Sequence, residues 1–194
     1  MGLLDLFRRD RPASELPPPP LIVAVDDACP QTPGPAGWAW VNEAGAWAAG
    51  ALSGVSRAES ELTALVEAVE AHARVPHVQL RVASSYAHST YTQWMDEHAA
   101  RGWVGKNGRP VKNRPLIERA LTARDARRTA GLPDVDVFRI PGREGHRASL
   151  WAYTVACRAL RHAKLGSERT WSPGDGDFTV DMGRDPRNSD KAVA

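Results

Sequence analysis

Two kinds of side chain in this 194-residue chain have chemistry to offer. The first is basic. Between residues 101 and 128 the run RGWVGKNGRPVKNRPLIERALTARDARR sets Arg101, Lys106, Arg109 and Lys112 among glycines, prolines and Trp103. Basic groups gathered on one face attract phosphate. A generic basic run is equally the solvated face of a helix, and charge by itself leaves the two readings even. The second kind is acidic: Asp26-Asp27 closes the apolar run LIVAV, and Glu61 stands near the start of an amphipathic stretch. On pattern alone the Asp pair reads as a polar strand end before a turn, and Glu61 as a first-turn acid favoured by the helix macrodipole. Cys29 and Cys157 are too few for a disulfide framework or a Cys-based zinc site and read as small buried residues.

The elements that must position these groups follow from periodicity. LIVAV from Leu21 is a buried-strand pattern, and GWAWV (37–41) and AWAAGAL (46–52) flank a short Gly-containing loop, giving three antiparallel strands. Ser56 and Glu59 form a capping box ahead of Leu62, Leu65, Val66 and Val69, which share a helix face. HVQLRVAS (77–84) alternates like a strand. A helical piece follows at 86–101, then the basic loop, a helix from about Pro115 to Thr129, a strand at 134–140 and a last helix over 148–164. Residues 1–20 carry a short apolar-basic peptide and then Pro17 to Pro20, and read as a tail outside the core. Residues 166–194 show little periodicity and read as irregular or disordered. One α/β domain over 21–165 is expected, with a mixed sheet covered by helices.

Composition sets further bounds. The 25 Lys+Arg and 23 Asp+Glu leave a net charge of only +2, which looks unsuited to a nucleic-acid partner. By segment the picture changes: residues 1–96 hold 6 basic and 11 acidic groups, 97–164 hold 15 and 6, and 165–194 hold 4 and 6. The near-neutral total conceals a basic stretch. Apolar runs fall far short of the roughly 20 residues that span a bilayer. The N-terminus lacks the charge order and small-residue cleavage site of a signal peptide, so the expected compartment is the cytoplasm.

In element order and local motifs the chain resembles bacterial type 1 ribonuclease H over about residues 21–163. VDDACPQTPGPAGW resembles the family's first-strand signature, and SELTALVEAVEAH its helix bearing a catalytic Glu. SSYAHSTYTQWMDEHAARGW and RPVKN (109–113) are similar to the helix and basic handle that grip a nucleic-acid backbone, and PGREGH (141–146) is similar to the loop before the last helix. The resemblance implies a five-stranded mixed sheet of the ribonuclease H fold, with helices on both faces. It also implies cleavage of the RNA strand of RNA/DNA hybrids by two Mg²⁺ ions held by four carboxylates, which offset the repulsion between ions about 3.5–4 Å apart.

Carried over residue by residue, the first two acids fall on Asp26 and Glu61, the third on Ala83 and the fourth on Tyr153. His146 matches the family's loop histidine. No Asp or Glu occurs between Ala71 and Met95, nor between Glu144 and Glu168, so a shifted alignment does not restore the missing pair. Asp27 is expected to point away from Asp26, since successive strand residues face opposite sides. His88 adds no negative charge, and imidazole suits softer metals than Mg²⁺. One Mg²⁺ or Mn²⁺ held weakly by Asp26 and Glu61 is the metal site this pattern allows.

Positions that meet 2′-hydroxyls and a DNA phosphate in the family fall on Thr32, Ser56, Arg57, Ala58 and Ser85. The nucleic-acid-binding set is Thr32, Arg57, Trp94, Arg101, Trp103, Lys106, Arg109 and Lys112, with Trp94 and Trp103 evenly balanced between core packing and a base platform. The expectation is a duplex-binding protein, of RNA/DNA hybrid or a related duplex, with lost or strongly attenuated metal-dependent cleavage. Two other readings stand against it: an active hybrid-specific endonuclease with a reorganised metal site, and a protein-interaction scaffold. The peptide Leu3–Phe7 is the candidate contact for a protein partner.

Overall fold

The computed structural model describes residues 18–142 and 146–187. The peptide Leu3–Phe7, residues 143–145 of the PGREGH loop and the last seven residues lie outside them. Three strands open the chain: β1 (Leu21–Ala28), β2 (Gly34–Asn42) and β3 (Trp47–Val55). They pair antiparallel in sequence order, Asp26 facing Ala39 and Trp40 facing Ala48. Helix α1 (Arg57–Ala71) begins at the capping box: Ser56 Oγ accepts from the Glu59 N–H, and the Glu59 carboxylate accepts from the Ser56 N–H.

Strand β4 (Val78–Val82) lies parallel to β1. Residues 85–100 are helical throughout, as α2 (Ser85–Ser89), a π-helical turn (Thr90–Trp94) and α3 (Met95–Ala100). After the basic loop come α4 (Arg114–Thr129), β5 (Asp136–Arg139), parallel to β4, and α5 (Arg147–Lys164).

The sheet has six strands in the order β5-β4-β1-β2-β3-β6, which corrects the five expected from sequence. The sixth, β6 (Thr170–Trp171), pairs antiparallel with β3 at Ala49 and Gly50. Two residues are too few for alternation to register, so no strand signal was visible there. Its anchor is aromatic. Trp171 and Phe178, each 1% exposed, stack at 4.7 Å. Phe178 lies 5.5 Å from Trp47, and His162 lies 4.8 Å from Trp171. The segment after α5 therefore completes a core.

Two apolar layers flank the sheet. Val23 and Val25 of β1, with Leu80 and Val82 of β4, face α1, α4 and Tyr91 and Met95. On the other face Ala24, Ala39, Ala49 and Ala51 meet Trp151, Ala152, Val155, Ala156 and Ala159 of α5. Small residues on both sides bring that helix close. At Gly37 the approach is closest: a Cβ there would lie 2.1 Å from the Ala156 carbonyl oxygen and 2.4 Å from the Leu160 nitrogen.

The first layer also holds a buried cation. Arg127 is 0% exposed, and its guanidinium donates to the carbonyls of His72, Val75, Pro76 and Pro133. These carbonyls lie in the α1–β4 and α4–β5 connections, so one side chain closes two chain reversals. His72 beside it donates from Nδ1 to the Ala68 carbonyl at 2.8 Å and accepts at Nε2 from the Asn42 amide at 3.3 Å. Burial, together with the Arg127 charge, lowers the His72 pKa, while the bond to Ala68 opposes them.

Candidate active site and nucleic-acid interface

Strands β1 and β4 run parallel, so their carboxyl ends emerge together, and α1 and α5 close the space from the two faces. The resulting cleft, about 310 Å³, is lined by Asp26, Asp27, Cys29, Arg57, Glu61, Ala83, Ser84, Tyr153 and Cys157, among others. The four positions at which the resemblance places acids thus share one cleft. Two of them carry acids.

Asp26 is buried and faces the α5 side, where its neighbours Ala24 and Ala28 pack. Its Oδ1 accepts from the Asp27 N–H at 2.9 Å. Asp27 alternates to the α1 face, yet it lines the same cleft, because the cleft opens at the strand ends and is reached from both faces. Burial pushes the Asp27 carboxyl up to about 7. The negative charges of Glu61 and Asp26 add to this, and the Ser60 hydroxyl and the Arg57 guanidinium oppose it. Burial and the Asp27 charge likewise raise the Cys29 thiol, whose Sγ lies 2.9 Å from the Gln31 carbonyl.

Glu61 comes from the second turn of α1 and accepts from the Ser84 hydroxyl at 2.6 Å. The same hydroxyl accepts from the Ala87 N–H as the N-cap of α2. Ser84 therefore fixes Glu61 against the exit of β4 beside Ala83. Sequence reasoning passed over this residue; its only signal was a serine preceding a helix. Arg57 Nη2 donates to the Cys29 carbonyl at 2.9 Å, and its backbone N–H donates to Thr32 Oγ1 at 3.2 Å. These two bonds tie the β1–β2 loop to the start of α1 at the cleft mouth.

The two histidines stand outside the cleft lining. His88 is at the end of α2, its N–H donating to the Ser84 carbonyl. His146 is the N-cap residue of α5, with Nδ1 2.6 Å from Arg81 Nη1. Among the described residues no group of three or more His, Cys, Asp or Glu side chains is placed to hold a metal ion. Two divalent ions carry four positive charges. The cleft offers Asp26 and Glu61, plus an Asp27 that is about half protonated near pH 7. This donor set does not fit the two-ion arrangement that four carboxylates support.

The basic loop forms a compact projection between α3 and α4. Val104 and Pro110 make a β-bridge, and the Gly105 N–H donates to the Arg109 carbonyl at 2.8 Å. Trp103, with φ of 66°, is half-buried against the first core, and the Arg114 guanidinium lies 5.1 Å from its ring centre. Trp94 is 37% exposed and stands 6.2 Å from Tyr86. Tyr86, Trp94, Arg101, Lys106, Arg109 and Lys112 line one groove of about 580 Å³. Glu97 offsets part of its charge by pairing with Arg101 at 3.2 Å and Lys106 at 3.8 Å. An aromatic face among exposed cations suits a nucleic-acid backbone with a base or sugar against the ring.

A sequence profile described as RNase H matches residues 18–163. The chain is 32% identical to ribonuclease HI of Caulobacter vibrioides over 148 residues, 75% of this chain and 95% of that protein. It is 29% identical to ribonuclease H of Phenylobacterium zucineum, again over 148 residues, 75% of this chain and 93% of that protein. With ribonuclease HI of Streptomyces coelicolor it shares 34% identity over 111 residues, 55% of this chain but only about half, 48%, of that longer protein. Among solved structures, LC9-RNase H1 superimposes with a TM-score of 0.58 over 87% of this chain and 85% of that one, at 20% identity. A foamy viral protease-reverse transcriptase solved with an RNA/DNA hybrid gives a TM-score of 0.61 over 73% of this chain and 20% of that one, at 13% identity. The chain belongs to the ribonuclease H family.

Proposed function

We propose that this member of the ribonuclease H family binds RNA/DNA hybrid or a related duplex, and that its metal-dependent RNA cleavage is lost or strongly attenuated. The carrying observation is the lining of the acid cleft: Ala83 and Tyr153 occupy two of the four family acid positions beside Asp26 and Glu61. Losing a hydrogen-bond partner of a metal ligand costs about 10- to 100-fold. Two direct ligands missing should cost more. When present in this family, the Mg²⁺ pair would activate water and stabilise the leaving oxygen. The residues here hold a strand instead. Trp94, Arg101, Lys106, Arg109 and Lys112 grip one backbone, while Arg57 and Thr32 stand at the cleft mouth toward the other.

A titration of labelled RNA/DNA hybrid, double-stranded RNA and double-stranded DNA, with cleavage followed in Mg²⁺ and Mn²⁺, tests this reading. The expected result is binding that falls as salt rises, weakens in the Lys106→Ala/Arg109→Ala/Lys112→Ala variant, and is accompanied by little or no cutting. Robust cutting abolished by Asp26→Asn would favour the second reading, an active ribonuclease with a reorganised site. That reading draws on Asp27, a third carboxylate in the cleft that strand alternation had placed elsewhere.

A further inference from the structure

The family match ends at residue 163, but the chain goes on to cross α5. With β6 paired to the sheet edge and Phe178 buried in the second core, residues 183–187 come to lie against the first turns of α5. Two adjoining cavities open there, of about 720 and 310 Å³, sharing His146 and Arg147. Arg184 and Arg187 line the larger, and Arg81 from β4 lines the smaller.

The acids nearby are partly spent: Arg184 pairs with Asp181 at 3.0 Å and Arg187 with Asp185 at 2.7 Å, leaving Glu43 on the cavity wall. Arg81 and Arg147 are different. Arg81 meets His146 Nδ1 and, at 3.4 Å, Gln79 Oε1, and Arg147 donates to the carbonyls of Met182 and Arg184. Neither forms an ion pair with a carboxylate among the described residues. Between them starts the 18-residue helix α5, whose N-cap His146 lines both cavities and makes no side-chain capping bond, so the positive end of the helix dipole lies beside them. Trp151, 1% exposed, lines the smaller cavity and has an indole N–H with no acceptor among the described residues. Guanidinium groups on either side of a helix start call for an anion.

We propose that these cavities take the phosphates of the nucleic-acid strand that continues from the acid cleft along α5, a second backbone contact on the opposite face of the sheet from the layer carrying the basic loop. This rests on the duplex-binding reading above. Leu150 lines the larger cavity and Tyr153 the acid cleft, and residues three apart are neighbours on a helix surface. From Tyr153 to Arg147 is six residues, roughly 9 Å along the helix axis at 1.5 Å per residue. At about 3.4 Å of rise per nucleotide, a strand with one phosphate at the cleft brings the phosphate two or three nucleotides on to Arg147 and Arg81.

The test uses the full chain and a hybrid extending about one helical turn beyond the cleft on each side. Arg81→Gln and Arg147→Gln are compared with Arg119→Gln, which removes an arginine of α4 paired with Glu67 and Glu70 of α1. The expected result is a roughly 3- to 10-fold loss of affinity for each cavity variant and a fall of about one in the salt slope, with Arg119→Gln binding like the parent. Because Arg147 also holds the 182–184 segment, thermal melting accompanies each variant, and Arg81→Gln with Arg184→Gln/Arg187→Gln decides the matter if Arg147→Gln melts early. Unchanged affinity and slope in those variants, with the Lys106→Ala/Arg109→Ala/Lys112→Ala protein weakened, overturns this contact and leaves the duplex-binding reading standing. Absence of binding by the parent protein overturns both.

Discussion

Replacing Asp27 with Asn removes a carboxyl that folding holds near neutrality. Its pKa rises from 3.8 to about 7 in the folded chain, chiefly through burial. A group whose folded pKa is raised contributes fully below its unfolded value, and its contribution is lost as pH climbs through the folded one. Asp27 therefore costs the native state nothing at about pH 4 and the most above about pH 7. At 1.36 kcal/mol per pH unit, the interval from 3.8 to about 7 amounts to about 4 kcal/mol. Because the cleft admits water, roughly 2–4 kcal/mol is the working range. Urea unfolding of the parent and of Asp27→Asn, at about pH 4 and about pH 8, gives the comparison: the variant should be more stable at the higher pH and near parity at the lower. A difference of the same size at both pH values would refute the argument, since it would trace to packing and not to ionisation.

Three other perturbations probe the site and its frame. Ala83→Asp with Tyr153→Asp restores the family's four acids to the cleft, and Mg²⁺-dependent hybrid cleavage should rise by at least about 100-fold, read on a labelled RNA strand. Gly37→Ala drives a methyl into the backbone of α5 at Ala156 and Leu160 and should cost about 3 kcal/mol, the upper end for overpacking, measured by thermal or urea unfolding. Arg127→Met strands the carbonyls of His72, Val75, Pro76 and Pro133 and should cost roughly 3–4 kcal/mol in the same assay.

Strong periodicity made most of the fold legible. The Ser56–Glu59 box, the alternation in Val78–Val82 and the turn after Asn42 each rest on local physics, and each appears where expected. Three things lay beyond such signals. A two-residue strand has no period; β6 is fixed instead by Trp171 stacking on Phe178, which packs on Trp47. Strand alternation separates Asp26 from Asp27 only within a sheet; at a strand end one opening reaches both faces, which no spacing rule reveals. Pairs such as Glu61 with Ser84 and Arg81 with His146 join residues 23 and 65 positions apart, which depend on the tertiary fold.

The anchorage of Arg127 bears on which parts of the interface open first. It sits near the C-terminal end of α4, fastened to carbonyls on both sides, whereas the basic loop leaves the other end of the same helix through Asn113, a residue in the left-handed region with φ of 58°. Helix α4 is thus clamped at its base by a buried cation, while at its other end the Asn113 amide donates to the Tyr86 hydroxyl at 3.1 Å. Backbone amides around Ile117–Arg127 should exchange with deuterium only on global opening, and those of Gly105 and Gly108 on local fraying. A bound duplex that slows exchange at the glycines without altering the α4 amides would show the loop ordering on a base that is already rigid.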